Sequence, residues 1–212
     1  MMLSMGRFAI ETPDPESTQR VGRALALELE PGTSVTLEGD LGAGKTCFVR
    51  GMAMGVGCDP ALVHSPTFTV MHRYPGSLCD LLHVDAYRVG SPDELRDAGF
   101  EPGLADAISA IEWPARAAGA VTGRTVSVRI EATGETTRRI EVEDAVGTVA
   151  ERLAAAVGPR PCPSCQAATP LFVADWPFCS ARCRAADLGR WFGGHYQITR
   201  PIEERDLEEG LS

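Results

Sequence analysis

Apolar positions recur along this chain with two periods, and the switches between them mark its elements. Val21, Ala24, Leu25 and Ala26 share one stripe of a 3.6-residue repeat. That stripe predicts a helix entered at Asp14-Pro15-Glu16 (a cap residue, a proline at the first helical position, an acid in the first turn) and stopped at Pro31-Gly32. Thr33 to Glu38 then alternates, with Val35 and Leu37 on one face of a short strand. A glycine-rich loop runs from Gly39 to Thr46, and Lys45 to Val56 reads as a helix closed near Gly57. Thr67–Arg73 and Leu78–Val84 have strand composition and are joined by the Pro75-Gly76 turn. Ser91 and Glu94 stand at capping-box spacing at the start of another helix. Ile108 to Trp113 is a short strand. Thr125–Ile130 and Arg138–Val142 alternate around Gly134 as a hairpin does, and Ala145–Val157 is amphipathic.

Gly158-Pro159-Arg160-Pro161 interrupts this pattern, and a cysteine cluster begins at once. The expected organisation is therefore a first domain over residues 1–157, a linker at 158–161, a small module at 162–200 and an acidic tail at 201–212. A chain of 212 residues suffices for one mid-sized domain and a small one. No apolar run approaches the ~18 residues that cross a bilayer, and the first residues lack the apolar core of a secretory signal. Both features point to a cytoplasmic protein without a membrane partner. The net charge of −9 argues against DNA binding by bulk electrostatics.

Two counts sharpen the picture. The chain has 19 arginines and a single lysine, Lys45. Arginine is a planar fork and lysine a compact ammonium on a flexible stem, so the one lysine marks a place where arginine does not serve. Residues 39–46 (GDLGAGKT) fit G-x-x-x-x-G-K-S/T. In such a loop, Gly39, Asp40, Leu41, Gly42, Ala43 and Gly44 turn successive backbone N–H groups toward phosphate oxygens, and the next helix adds its positive end through Cys47. Lys45 supplies a point charge to the β- and γ-phosphates of ATP, and the Thr46 hydroxyl is a hard oxygen ligand for Mg²⁺. The site also needs a carboxylate at a strand end. Asp85 follows Leu81–Val84 and Glu112 follows Ile108–Ile111, and spacing alone does not choose between them. His83 would share the strand face of Asp85 and reads as a satisfied, partly buried histidine; His64 and His72 lack metal-ligand spacing.

The second count is seven cysteines, an odd number. Cys47, Cys58 and Cys79 are scattered, whereas Cys162-x₂-Cys165, 13 residues and Cys179-x₃-Cys183 form a four-thiolate zinc pattern. Each short pair can take one edge of a tetrahedron and the spacer folds back to join them. A module this small cannot bury enough surface alone, so Zn²⁺ is its expected staple.

Gly39–Thr46, Ser65-Pro66-Thr67-Phe68-Thr69, His83-Val84-Asp85-Ala86-Tyr87-Arg88 and Ile111-Glu112-Trp113 occur in that order. Together, over roughly residues 8–157, they resemble TsaE, the P-loop ATPase family of bacterial tRNA threonylcarbamoyladenosine synthesis. The resemblance implies an ATPase that assists the TsaB–TsaD pair in modifying adenosine 37 of tRNA. It implies that Lys45 and Thr46 bind phosphates and Mg²⁺, that Asp85 and Glu112 are the acidic catalytic or metal-site residues, that Ser65–Thr69 with Thr67 senses nucleotide, and that Trp113 packs beside it. Position 47 is Cys where that family more often has Thr or Ser. Trp176–Cys183, Asp187–Trp191 and Tyr196–Ile198 resemble YacG, a zinc-protein family that inhibits DNA gyrase through its B subunit. Gly193–His195 and Gln197 depart from that pattern.

The expected fold is thus α/β, a P-loop NTPase sheet parallel near the loop with an antiparallel hairpin at 125–142, followed by a four-cysteine zinc knuckle. Two other functions fit less of the sequence. One is a P-loop small-molecule kinase with a lid built from Arg116, Arg124, Arg138 and Arg139. The other is a module that mainly binds gyrase or nucleic acid through the basic, aromatic knuckle.

Overall fold

The structure, a computed structural model, describes residues 6–66, 69–101, 105–145 and 147–192. Thr67 and Phe68, the stretch 193–198 and the acidic segment 201–212 lie outside the described residues. The chain divides into two compact units, Met1–Gly158 and Pro159–Ser212.

The first unit is built on a seven-stranded sheet in the order β1-β7-β6-β2-β5-β4-β3. Its strands are β1 (Gly6–Thr12), β2 (Ser34–Glu38), β3 (Met71–Tyr74), β4 (Asp80–Asp85), β5 (Ala107–Glu112), β6 (Thr125–Ala132) and β7 (Arg138–Asp144). β2 runs parallel to both neighbours, β5 and β6, and β4 runs parallel to β5. β6 and β7 form the expected antiparallel hairpin, and β3 closes the other edge antiparallel to β4. The central strands are buried on both faces, which is why they read as apolar runs rather than alternations.

α1 (Pro15–Leu27) is capped by Asp14, whose carboxylate accepts from Ser17 N at 2.7 Å. It packs on α2 (Lys45–Val56), and α4 (Thr148–Val157) packs on α1 and β1. The α1–α2 approach is close because glycines line it. A Cβ at Gly55 would stand 2.7 Å from Ala26 Cβ, and one at Gly51 would collide with the Gln19 backbone. Leu82, Val84 and Ile111 pack with Ala86, Val89, Leu95 and Phe100 in a separate core that holds α3 (Pro92–Asp97) and the turns on either side of it. Among the described residues no helix is long and apolar enough to cross a membrane.

In the second unit, β8 (Arg160–Pro161) and β9 (Ala168–Thr169) pair around a tight turn, and α5 (Ala181–Phe192) follows.

Two boundaries differ from expectation. β5 stops at Glu112, and Trp113 takes a left-handed conformation with φ 60° in place of extending the strand. β3 begins only at Met71, after Val70 at φ 65°. The carbonyl of Val70 accepts from Asp85 N at 2.9 Å, so that turn is tied to the end of β4.

Candidate nucleotide site and cysteine centre

The glycine-rich loop leaves β2 and enters α2 through positive φ at Gly39 (150°), Gly42 (79°) and Gly44 (105°). Side chains rarely adopt such angles, and at Gly39 a Cβ would also strike the Ile130 carbonyl. The loop is held from both sides. Outside, Arg138 Nε donates to Ala43 O at 2.8 Å while its Nη1 reaches the hairpin carbonyls of Gly134 and Thr137 at 3.1 and 2.8 Å. Inside, Lys45 Nζ donates to Gly39 O at 2.8 Å and Asp40 O at 3.0 Å and lies 4.1 Å from the centre of the Trp113 ring. Burial pushes the Lys45 ammonium below its ordinary pKa, against the opposing pull of Glu112, Asp85 and Asp40.

β4 and β5 are parallel neighbours with Asp85 opposite Glu112, so both carboxylates stand on one face at the ends of adjacent strands. Thr46 Oγ1 donates to Glu112 Oε1 at 2.9 Å, and Ser65 Oγ to Asp85 Oδ2 at 3.2 Å. Asp85 Oδ1 also accepts from Tyr87 N at 3.0 Å. Tyr87 packs against Trp113 with ring centres 5.1 Å apart and the ring planes tilted by 55°. These side chains, with Leu41, Gly42, Gly44 and Cys47, line one cavity of ≈ 370 Å³. A wider cavity of ≈ 710 Å³ adjoins the same loop, lined by Gly39 to Ala43, Trp113 to Arg116 and Arg129 to Ala132. The hydroxyl and carboxylate oxygens of the first cavity are hard donors of the kind Mg²⁺ takes. The Cys47 thiol faces α1, donating to Pro15 O at 3.4 Å and receiving Gln19 Nε2 at 3.8 Å.

His83 differs from the sequence expectation. It is wholly buried rather than partly so; its Nε2 meets Glu112 Oε1 at 3.0 Å, and its Nδ1 has no hydrogen-bond partner among the described residues. Strand alternation placed it beside Asp85. Its contact with Glu112 depends on the pairing of β4 with β5, which the sequence does not display. The bracing role of Arg138 was likewise invisible. Of the four arginines of the kinase reading, Arg138 is committed to the loop, Arg124 to Glu30 and Arg139 to Glu141, while Arg116 borders the wider cavity.

In the second unit, Cys162 and Cys165 sit in the β8–β9 turn, where Cys162 N donates to Ala167 O and Gln166 N to Cys162 O, each at 2.8 Å. Cys179 precedes α5 and Cys183 lies in its first turn, where Ser180 Oγ accepts from Cys183 N at 3.4 Å. The four sulfurs lie within 4.8 Å of one another, with Cys165–Cys179 at 3.5 Å and Cys179–Cys183 at 3.6 Å. A tetrahedral Zn–S distance of about 2.3 Å gives an S···S edge of about 3.8 Å, so the cluster has the size of a closed zinc site. Burial of Cys162 opposes ionisation, but the backbone N–H groups of Cys179, Cys165 and Ser164 prevail and draw its thiol down to about 6. Cys179, hydrogen-bonded to Cys165 and Cys183, is pushed up to about 12. Arg190 Nη2 ties α5 to the turn through Ser164 Oγ at 2.7 Å.

Comparison with known proteins separates the same two parts. Residues 12–140 match the family model of the threonylcarbamoyl adenosine biosynthesis protein TsaE, and residues 160–209 match that of the DNA gyrase inhibitor YacG. The tRNA threonylcarbamoyladenosine biosynthesis protein TsaE of Treponema pallidum is 37% identical over 128 residues, 60% of this chain and 93% of its own length. Its namesake from Streptomyces coelicolor is 38% identical over 139 residues, 64% of this chain and 84% of its own. Among solved structures, Bacillus subtilis YdiB superposes with a TM-score of 0.58 at 26% identity, covering 72% of this chain and 97% of the other.

Proposed function

Because this chain belongs to the TsaE family of threonylcarbamoyl adenosine biosynthesis proteins, we propose that its first unit is a Mg²⁺-dependent ATPase that drives tRNA N6-threonylcarbamoyladenosine formation together with TsaB and TsaD. One observation carries this reading: the only lysine of the chain, the Thr46 hydroxyl and two strand-end carboxylates line a single cavity at the mouth of a glycine loop. In hydrolysis a water oxygen bonds to the γ-phosphorus, the bond to the ADP oxygen breaks, and ADP, phosphate and a proton leave. Thr46, with Glu112 or Asp85, is the donor set for Mg²⁺, which when bound offsets charge on the triphosphate. Lys45 exchanges its loop carbonyls for phosphate oxygens, and the loop amides stabilise the charge that develops on the transferring group. Glu112, hydrogen-bonded among the described residues through Oε1, has Oε2 left to orient the attacking water. Trp113 borders both cavities, which supports its ring packing beside a nucleotide that lies across the loop.

The second unit carries a YacG-like zinc centre, held by Cys162, Cys165, Cys179 and Cys183, and its partner in this reading is the DNA gyrase B subunit. Capture of gyrase B by the zinc-loaded full chain, and none after chelation, supports that arm; equal capture in both states contradicts it.

The ATPase arm is tested by calorimetry of Mg²⁺-ATP on the full chain and its Lys45→Ala variant. Loss of a charged hydrogen-bond donor is expected to weaken binding about 10–100-fold and to abolish tRNA modification when TsaB and TsaD are supplied. Unchanged affinity in the variant overturns the assignment.

A further inference from the structure

We propose that His83 is a positioning residue for the Glu112 carboxylate, holding it in one orientation while the Thr46 hydroxyl changes partner. The proposal deepens the ATPase reading and rests on it. Three observations carry it. His83 is completely buried in the middle of β4, yet its Nδ1 finds no partner among the described residues. A purely packing role would favour an apolar side chain there, since an unpartnered buried nitrogen opposes folding. Its Nε2 meets Glu112 Oε1 at 3.0 Å, and a carboxylate only accepts, so this nitrogen carries the proton. Finally, among the described residues Oε1 has one other hydrogen-bond donor, Thr46 Oγ1 at 2.9 Å.

Thr46 is also the hydroxyl that must turn to a cation when nucleotide is bound. At that moment Glu112 loses its surface-side donor and keeps only the buried one. The geometry lets His83 do this. Its register partner on β5 is Ala110, whose methyl leaves room for the imidazole to lean toward Glu112, two residues further along. With Oε1 pinned by His83, rotation of the carboxylate is restricted, and Oε2 stays directed to one place through the cycle. Partners that orient a ligating or catalytic group in this way contribute substantially to activity without touching substrate.

The test uses the full chain with three substitutions. His83→Leu removes the donor and keeps bulk; His83→Gln restores an N–H of similar reach; Glu112→Ala removes the acceptor. Hydrolysis with TsaB and TsaD present is expected to show kcat for His83→Leu reduced on the order of 10–100-fold, with KM for Mg²⁺-ATP little changed and most of the loss recovered in His83→Gln. A second readout needs no nucleotide: the slowly exchanging Nε2 proton of His83, seen by ¹⁵N-edited NMR, is expected to shift and lose protection in Glu112→Ala. Wild-type kcat in His83→Leu, equal loss in the Leu and Gln variants, or an Nε2 proton indifferent to Glu112→Ala each overturns the proposal. If the wild-type chain itself does not hydrolyse ATP, the functional reading fails, and the NMR measurement still decides whether His83 holds Glu112.

Discussion

The α1–α2 contact offers a sharp test of how the fold presents its loop, because two arguments about one glycine point in opposite directions. Gly51 is inside α2, where replacing glycine by alanine ordinarily stabilises a helix by about 1 kcal/mol. In this structure the new Cβ would stand 2.7 Å from Gln19 C and Cα and nearer still to the Gln19 carbonyl oxygen. Real contacts of a Cβ with backbone lie beyond 3 Å, and neither helix can retract a carbonyl as it could a flexible side chain. α1 and α2 must therefore separate, and overpacking against backbone belongs at the upper end of the usual penalty of roughly 1–3 kcal/mol. Subtracting the propensity gain leaves Gly51→Ala destabilised by about 1–2 kcal/mol, which for a unit of this size lowers Tm by about 2–8 °C. Thermal unfolding followed by circular dichroism reads the shift directly. Gly189, inside α5 with nothing within 4 Å of its would-be Cβ, is the control, and alanine there should raise the stability of the zinc-loaded second unit by about 0.5–1 kcal/mol. A Gly51→Ala chain that melts at or above the wild type refutes the packing argument.

Two further outcomes follow from the same structure. Chelation of the full chain should erase the NMR dispersion of residues 159–192 and leave that of the sheet unit intact, because the thiolate cluster rather than a buried core organises the smaller unit; persistence of both sets of signals would show the zinc to be dispensable. The hydrogen bond from Arg73 holds the Asp80 carboxyl below its usual pKa of 3.8, against a weaker opposing effect of burial. A depressed carboxyl stabilises the fold above its unfolded pKa and loses that contribution as pH falls through its folded value. Asp80→Asn should therefore lower the denaturant midpoint near neutral pH and converge with the wild type in strong acid, and a pH-independent difference would contradict the assignment.

Much of the site could be read from the chain because its parts are local. The loop announces itself by glycine spacing and by Lys45, and the two carboxylates announce themselves as polar residues that end apolar runs. The cysteine spacing carries a module in the same way. What sequence could not display was adjacency. β2, β5 and β4 lie side by side although α2, β3 and α3 intervene, and only that order puts Asp85 opposite Glu112. β1 is weakly marked in sequence for a related reason: only Phe8 and Ile10 are large and apolar in it, both half-buried, and the strand is held by pairing all seven of its residues with β7. Cross-strand charges support that edge, with Arg7 bonded to Glu141 and Glu143. α5 carries little sequence signal because its apolar side chains do not form a buried stripe. Leu188, Trp191 and Phe192 are exposed, and the helix is fixed by Cys183 at one end and Arg190 near the other.

The loop also shows why one lysine and one arginine cannot exchange places. Both bind loop carbonyls, yet in opposite senses. Arg138 spreads a planar fork over Ala43 and the hairpin carbonyls, contacts that a nucleotide on the other side of the loop need not disturb. Lys45 holds the carbonyls of Gly39 and Asp40 with a single ammonium, partly desolvated and lying over Trp113. A point charge on a flexible stem can let go of two neutral acceptors and take phosphate oxygens with little rearrangement; a guanidinium bound in several directions cannot. Under the proposed function the permanent brace is therefore arginine and the exchanging contact is lysine. In a chain with 19 arginines, the one position that the proposed ATPase cycle asks to move its charge between partners is the one where lysine stands.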